Sequence, residues 1–205
     1  MVKHGIATGM PLWLEEFHGH LCPFLVVGWR MGQEALAQLK VDRERDQGLF
    51  VFTELGGDAL RPQSCYTDGL QAATGCTAGK GTLRSHDLGK VAAVLARPGE
   101  GALRIALRPD VCDELARGSY AAERRGGKLA SAVPEAALSN AVGYVTRLSA
   151  QELFTFEHLP AFGFRPAPAS PGRIRCQDCG EYVFEQQAAV KDGRILCRSC
   201  AVYSS

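Results

Sequence analysis

Eight cysteines and five histidines are the side chains of this chain best suited to hold a metal or attack an electrophile, and they fall into separate groups. Cys176 and Cys179 stand in a C-x-x-C spacing, seventeen residues follow, and Cys197 and Cys200 repeat it. Each pair suits a tight knuckle that points two sulfurs at one ion, and two knuckles complete a closed tetrahedral zinc site. Four thiolates leave no open coordination position, so a structural staple is expected there rather than catalysis. The segment is too short to be stable on apolar burial alone, so metal binding should contribute most of its folding free energy.

A second constellation lies in "FHGHLCP" at residues 17 to 23, where His18, His20 and Cys22 alternate and end at Pro23. If the stretch is extended all three side chains lie on one side, and if helical only His18 and Cys22 share a face. Pro23 suits the first position of a helix, which makes Cys22 its N-cap. The partial positive charge of that terminus should lower the Cys22 pKa, giving a good ligand or nucleophile with His20 as its general base. Cys65 begins a predicted helix over 66–74, Gly75 stops it, and Cys76 falls just beyond. The expectation is that His18, His20, Cys22, Cys65 and Cys76 meet in a cleft as a second, less closed site. Mixed imidazole and thiolate ligands suit zinc, iron or another late transition metal, with Asp68 or Glu54 orienting a ligand or acting as a base. The plainer alternative is a pair of hydrogen-bonded histidines and small buried cysteines.

"GCTAGKGT" resembles a nucleotide phosphate loop but fails its spacing, with three residues rather than four before the Gly-Lys pair and Gly81 after Lys80. A turn rich in Gly75, Gly79 and Gly81 can still aim N–H groups at an anion, with Lys80 as a candidate catalytic cation. Cys112 is read as core within an amphipathic helix, and His86 and His158 as surface or hydrogen-bonded residues. Trp13, Phe17 and Trp29 are read as walls of the cleft.

The elements that must position these residues follow from periodicity and punctuation. Residues 12–40 read as helix in two pieces broken at "HGHLCP", and 49–55 as a strand. "KVAAVLA" and "ALRIALRP" read as two further strands, and residues 109–127 as one helix with a glycine stop. "VPEAALSNAVGYVTRL" reads as another helix, and "SAQEL" as a capping box opening a short one. Helices mixed irregularly with a few strands predict an α+β architecture. "RPAPASPG" reads as a semi-rigid linker, so the chain is expected to divide into 1–165, a linker over 166–172 and a finger over 173–205.

Composition bounds the rest. The 205 residues are 46% hydrophobic and 22% charged, an ordinary folded protein with room for one real core and a small appendage. A net charge of +1 supplies no broad field for nucleic acid or anionic membrane. In the finger, Arg173, Arg175, Lys191, Arg194 and Arg198 oppose Asp178, Glu181, Glu185 and Asp192, so nucleic acid is not expected there and protein docking or dimerisation fits better. The N-terminus lacks the pattern of a secretory signal and the apolar run "FLVVGW" is far short of a membrane span, so a cytoplasmic location is expected.

Taken together, "FHGHLCP", Cys65 with Asp68, "TGCTAGKGT" at residues 74–82, the "DLGK" that follows and the terminal four-cysteine finger resemble the FmdE family, named for formylmethanofuran dehydrogenase. The finger spacing also looks like that of the DksA/TraR class. The family more often has glycine where this chain has Phe24 and asparagine where it has Thr82, changes that would alter the cleft lining and leave the ligands intact. The resemblance implies an α+β domain followed by a small zinc domain, and partnership with a molybdenum or tungsten enzyme. On this reading the chain is a metal-binding redox or accessory protein with two metals, docking a protein partner or a second copy through the finger or the N-terminal domain. A stand-alone hydrolase-type enzyme using metal or thiol, and an adaptor whose one metal is structural, are the alternatives.

Overall fold

Pro23 and Cys22 set the first long element. The computed structural model describes residues 9–56, 62–164, 166 and 172–203. Helix α1 (Leu12–His18) stops at Gly19, whose φ of 88° a glycine adopts without penalty, and the extended Cys22 then caps α2 (Pro23–Leu39). Strand β1 (Phe50–Thr53) follows, then a 3₁₀ turn (Pro62–Cys65) leading into α3 (Tyr66–Thr74), which Gly75 terminates. Next come β2 (Leu83–Ser85), β3 (Ala92–Arg97) and β4 (Gly101–Leu107). Two helices follow where one is predicted, α4 (Pro109–Arg117) and α5 (Ser119–Arg125), because Gly118 between them is extended. Helix α6 (Glu135–Arg147), α7 (Ala150–Leu153) with its capping box at Ser149, and β5 (Phe154–Leu159) complete the larger unit.

The fold is α+β. Its sheet has the order β2-β1-β3-β4-β5, with β1 and β2 parallel and every other pair antiparallel. Strand alternation sorts the faces: Val51, Leu55, Ala93, Leu95, Leu103 and Ile105 join the core beneath the helices. Phe50 and Phe52 belong to the opposite face, where the Arg84 guanidinium lies 5.8 and 5.9 Å from their ring centres.

Helices α2 and α3 meet backbone to backbone. A Cβ on Gly28 would lie 1.9 Å from the Tyr66 carbonyl oxygen, one on Gly69 would lie 2.3 Å from that of Leu25, and one on Gly32 would meet Ala73 at 2.5 Å. Because Gly28 meets Tyr66 while Gly32 meets Ala73, the contacts advance together and the two helices run the same way. Their N-termini, Cys22 and Cys65, therefore lie at the same end. The buried Tyr66 hydroxyl pins that end to the sheet, accepting from Leu55 N and donating to the Ala92 carbonyl.

The chain splits into two compact units, Met1–Gly163 and Phe164–Ser205. Most of the predicted 166–172 linker, residues 167–171, lies outside the described residues. In the smaller unit β6 (Arg173–Arg175) pairs with β7 (Tyr182–Phe184), β8 (Ala188–Lys191) pairs with β9 (Arg194–Cys197), and α8 (Arg198–Tyr203) closes it. The second hairpin turns at Asp192 and Gly193, both at positive φ as its two-residue turn requires. Cys176 and Leu196 are its fully buried apolar residues among those described. Among the described residues, no helix is long and apolar enough to cross a membrane.

Candidate metal centre

The parallel packing of α2 on α3 brings two sulfurs together, and the loop after α1 adds two imidazoles. His18, His20, Cys22 and Cys65 each offer a ligand atom, all within 4.8 Å of one another. His18 Nδ1 bonds Asp68 Oδ2 at 2.7 Å, so against an ionised carboxylate Nδ1 carries the proton and Nε2 faces the other ligands. That Nε2 is buried and makes no hydrogen bond. An orphaned imidazole nitrogen beside two sulfurs and a second imidazole, with a carboxylate fixing its tautomer, is the arrangement a late transition metal requires. The donor set fits such an ion. Gln71 Nε2 steadies the other oxygen of Asp68 at 3.2 Å.

The charges are arranged differently from the expectation. Leu25 N does donate to Cys22 Sγ at 3.3 Å, as an N-cap should. The Cys22 thiol is nevertheless pushed well up, first by its hydrogen bond to Cys65 and then by burial, which together outweigh the helix terminus. Cys65 is correspondingly drawn down to about 3, chiefly by that bond, with His18 and His20 adding to it against the cost of burial. Asp68 first and the Cys65 sulfur second raise His18 to about 9. Within the pair the imidazoles beside Cys65 favour negative charge on its sulfur, and burial disfavours it on Cys22. Coordination of both sulfurs and of His18 Nε2 requires the loss of their protons.

Two predicted members do not join. Cys76 is fully buried and donates to the Leu49 carbonyl at 3.3 Å, and burial pushes its thiol up to about 11. It sits beyond the C-terminus of α3, whereas the cluster forms at the N-terminus. Lys80 is latched by its Nζ to the carbonyls of Glu44 and Arg45 at 3.3 and 3.4 Å, and it does not line the cavity described below. Its glycine turn satisfies itself: Ala78 N bonds the Gln71 side chain, Lys80 N the Thr77 hydroxyl, Gly81 N the Ala78 carbonyl and Thr82 N the Thr77 carbonyl. Those amides are not aimed at an anion. Of the two candidate carboxylates Asp68 reaches the site and Glu54 does not; strand parity sends Glu54 to the opposite face, where Arg104 holds it at 2.6 and 2.8 Å.

A cavity of about 690 Å³ opens beside the cluster, touching His20, Cys22 and Cys65. Its walls come from Phe24, Leu55, Val91 and the α4–α5 pair, including Cys112 and Tyr120. Cys112 packs against the core, half-buried, and also lines the cavity wall. Trp13 and Phe17, predicted to wall the cleft, are 50% and 64% exposed, and neither they nor Trp29 are among the lining residues.

In the smaller unit Cys176, Cys179, Cys197 and Cys200 likewise lie within 4.8 Å of one another. Gly180, at φ 73°, closes the first knuckle by donating to the Cys176 carbonyl, and Cys200 N donates to Cys197 Sγ in the second. The N–H groups of Cys179 and Cys197 draw the Cys176 thiol down to about 6. Both clusters can hold a metal ion.

Comparison with known proteins agrees with this geometry. Residues 17–155, more than half of the chain, match the family model described as "FmdE, Molybdenum formylmethanofuran dehydrogenase operon". The chain belongs to the FmdE family. The matched range holds the whole His/Cys cluster, and the four-cysteine module lies beyond it. The chain is 31% identical over 207 residues to a "Probable S-adenosyl-L-methionine-binding protein" of Archaeoglobus fulgidus, an alignment covering 95% of this chain and 53% of that protein. It thus spans about half the length of that relative. A "tungsten formylmethanofuran dehydrogenase subunit e (fmde)-like protein" from Syntrophus aciditrophicus has the same fold, with a TM-score of 0.61 at 20% identity over 92% of this chain and 88% of that one.

Proposed function

We propose that this FmdE-family chain is a two-metal accessory or redox component of a molybdenum or tungsten enzyme system. His18 Nε2, His20, Cys22 and Cys65 hold a transition metal, zinc or iron, and Cys176, Cys179, Cys197 and Cys200 hold a structural zinc. The observation that carries the reading is the buried, unbonded His18 Nε2 with Asp68 behind it. When bound in the larger unit, iron would supply an electron-transfer centre and zinc a Lewis acid. Asp68 holds the His18 ring in the ligating tautomer, and Cys65 supplies the negative charge that attracts the cation. The molybdenum and tungsten association rests on the names of the family and of the Syntrophus protein.

We propose further that the chain works in the cytoplasm and docks a protein partner or a second copy through the finger or the larger unit. Tyr182, Phe184, Val190 and Val202 of the finger are 50–76% exposed, more apolar surface than so small a module needs for itself.

The cavity favours a second reading, a stand-alone thiol- or metal-dependent enzyme of hydrolase type, with His20 as base. In the metal-free protein its nucleophile would be Cys65 rather than Cys22. Elemental analysis of anaerobically purified wild type beside Cys22→Ser and Cys176→Ser tests the two-metal reading. Two ions per chain in the wild type, with one lost separately in each variant, support it. One ion in the wild type, retained by Cys22→Ser, leaves an adaptor with a structural metal alone.

A further inference from the structure

The cavity beside the cluster carries an uneven charge. Arg124 and Arg125 line it, and among the described residues no carboxylate does. Nor do these arginines pair with a described carboxylate elsewhere: Arg124 donates to the Lys128 carbonyl and Arg125 to that of Ala116 at 2.8 Å. The acidic neighbours are occupied, Glu123 with Lys128 at 2.6 Å and Glu114 with Arg117 at 3.2 Å. A neutral carbonyl fixes a guanidinium in place without cancelling its charge and leaves most of its five N–H donors free. The rest of the lining is largely apolar, with Leu55, Val91, Leu115 and Ala116. Tyr120 is 8% exposed, lines the cavity, and feels the charge of Cys22, Arg124 and Cys65 alike. A cavity of this volume is the size of a small-molecule site.

We infer that this cavity binds an organic anion, an apolar body ending in a carboxylate or phosphate, with Arg124 and Arg125 holding the anionic end and the body reaching the His/Cys cluster past Tyr120. The orientation rests on the reading that the cluster holds a metal; the anion preference does not.

The test compares 4-phenylbutyrate with its uncharged amide, 4-phenylbutanamide, on the zinc-loaded full chain by ligand-detected NMR and calorimetry. The carboxylate should bind about tenfold more tightly, the scale of one charge-assisted interaction. That preference should vanish in the double variant Arg124→Gln/Arg125→Gln, persist in Arg124→Lys/Arg125→Lys, and be unchanged in Arg117→Gln, which removes a positive charge away from the cavity. Equal affinity for acid and amide in the wild type, or a preference that survives the glutamine pair, overturns the inference. With 4-phenylbutyl phosphate, tighter binding than the carboxylate assigns the site to phosphate, and weaker binding assigns it to carboxylate. Cobalt(II) substitution separates the two readings. Faster relaxation of the phenyl protons in the wild type than in Cys65→Ser supports a metal beside the apolar end. The anion preference without that relaxation leaves the anion site standing and removes the metal from the cluster; relaxation without the preference does the reverse.

Discussion

The two cysteine-bearing clusters have the same number of ligands in a similar space and are built in opposite ways. In the larger unit the ligands come from segments about fifty residues apart, as the His18–Asp68 contact does, and a full hydrophobic core brings them together. In the smaller unit they come from two knuckles on short hairpins, with Leu196 as the one fully buried side chain that is not a ligand among those described. On the two-metal reading the fold makes the first site, and an ion makes the second fold. Folding energy and metal affinity are thus separable in one unit and inseparable in the other.

Chelation is the most forceful way to break this comparison. Removing zinc, or substituting Cys179→Ser, should cost the smaller unit on the order of 10 kcal/mol of metal-derived folding energy. Hydrogen exchange should show amides of β6–β9 losing protection while those of α2, α3, β3 and β4 keep theirs; equal loss in both units would end the distinction. Gly28→Ala acts from the other side. Its Cβ meets the Tyr66 carbonyl at 1.9 Å, so α2 and α3 must separate, and urea unfolding should show a loss of about 3 kcal/mol or more in the larger unit. Metal should leave the His/Cys cluster and stay in the finger. Asp68→Asn is gentler: by loosening the His18 tautomer it should weaken metal binding in the larger unit ten- to a hundredfold, read by competition with a chromophoric chelator.

A pH-dependent effect concerns Cys76, which tests whether the core cysteine behaves as packing alone. Burial raises its pKa from 9.0 to about 11, so the folded chain keeps a proton that the unfolded chain gives up. Its contribution to stability is full below pH 9 and is lost as the pH rises through 11, about 2–3 kcal/mol in all. Cys76→Ser, whose hydroxyl does not titrate in that window, should show a shallower decline over pH 9–11 in denaturant midpoints.

Local chemistry is legible in the sequence and long-range placement is not. Pro23 marks a helix start and Cys22 its cap, Gly75 marks the end of α3, and Ser149 with Glu152 marks the capping box, because each signal is confined to one turn of backbone. The break at Gly118 escapes periodicity, since a lone glycine inside an amphipathic pattern is compatible with a continuous helix. Strand β2 has three residues, too few to show alternation, but β5 does alternate in "FTFEHL" and is readable on that ground. Residue type alone groups Cys76 with the cluster; placing it needs the direction of α3, which only the glycine contacts with α2 reveal. The raised Cys22 thiol is also out of reach, because it depends on Cys65, a partner forty-three positions away.

The seven-residue α1 buries Leu14 and leaves Leu12, Trp13 and Phe17 largely in solvent, yet it leads directly into both imidazoles. The sulfurs, by contrast, are rooted in the two helices whose backbones touch. Among the described residues the one carboxylate tie from the thin element to the close-packed pair is the His18–Asp68 contact, so the imidazole half of the cluster depends on a single carboxylate for its footing.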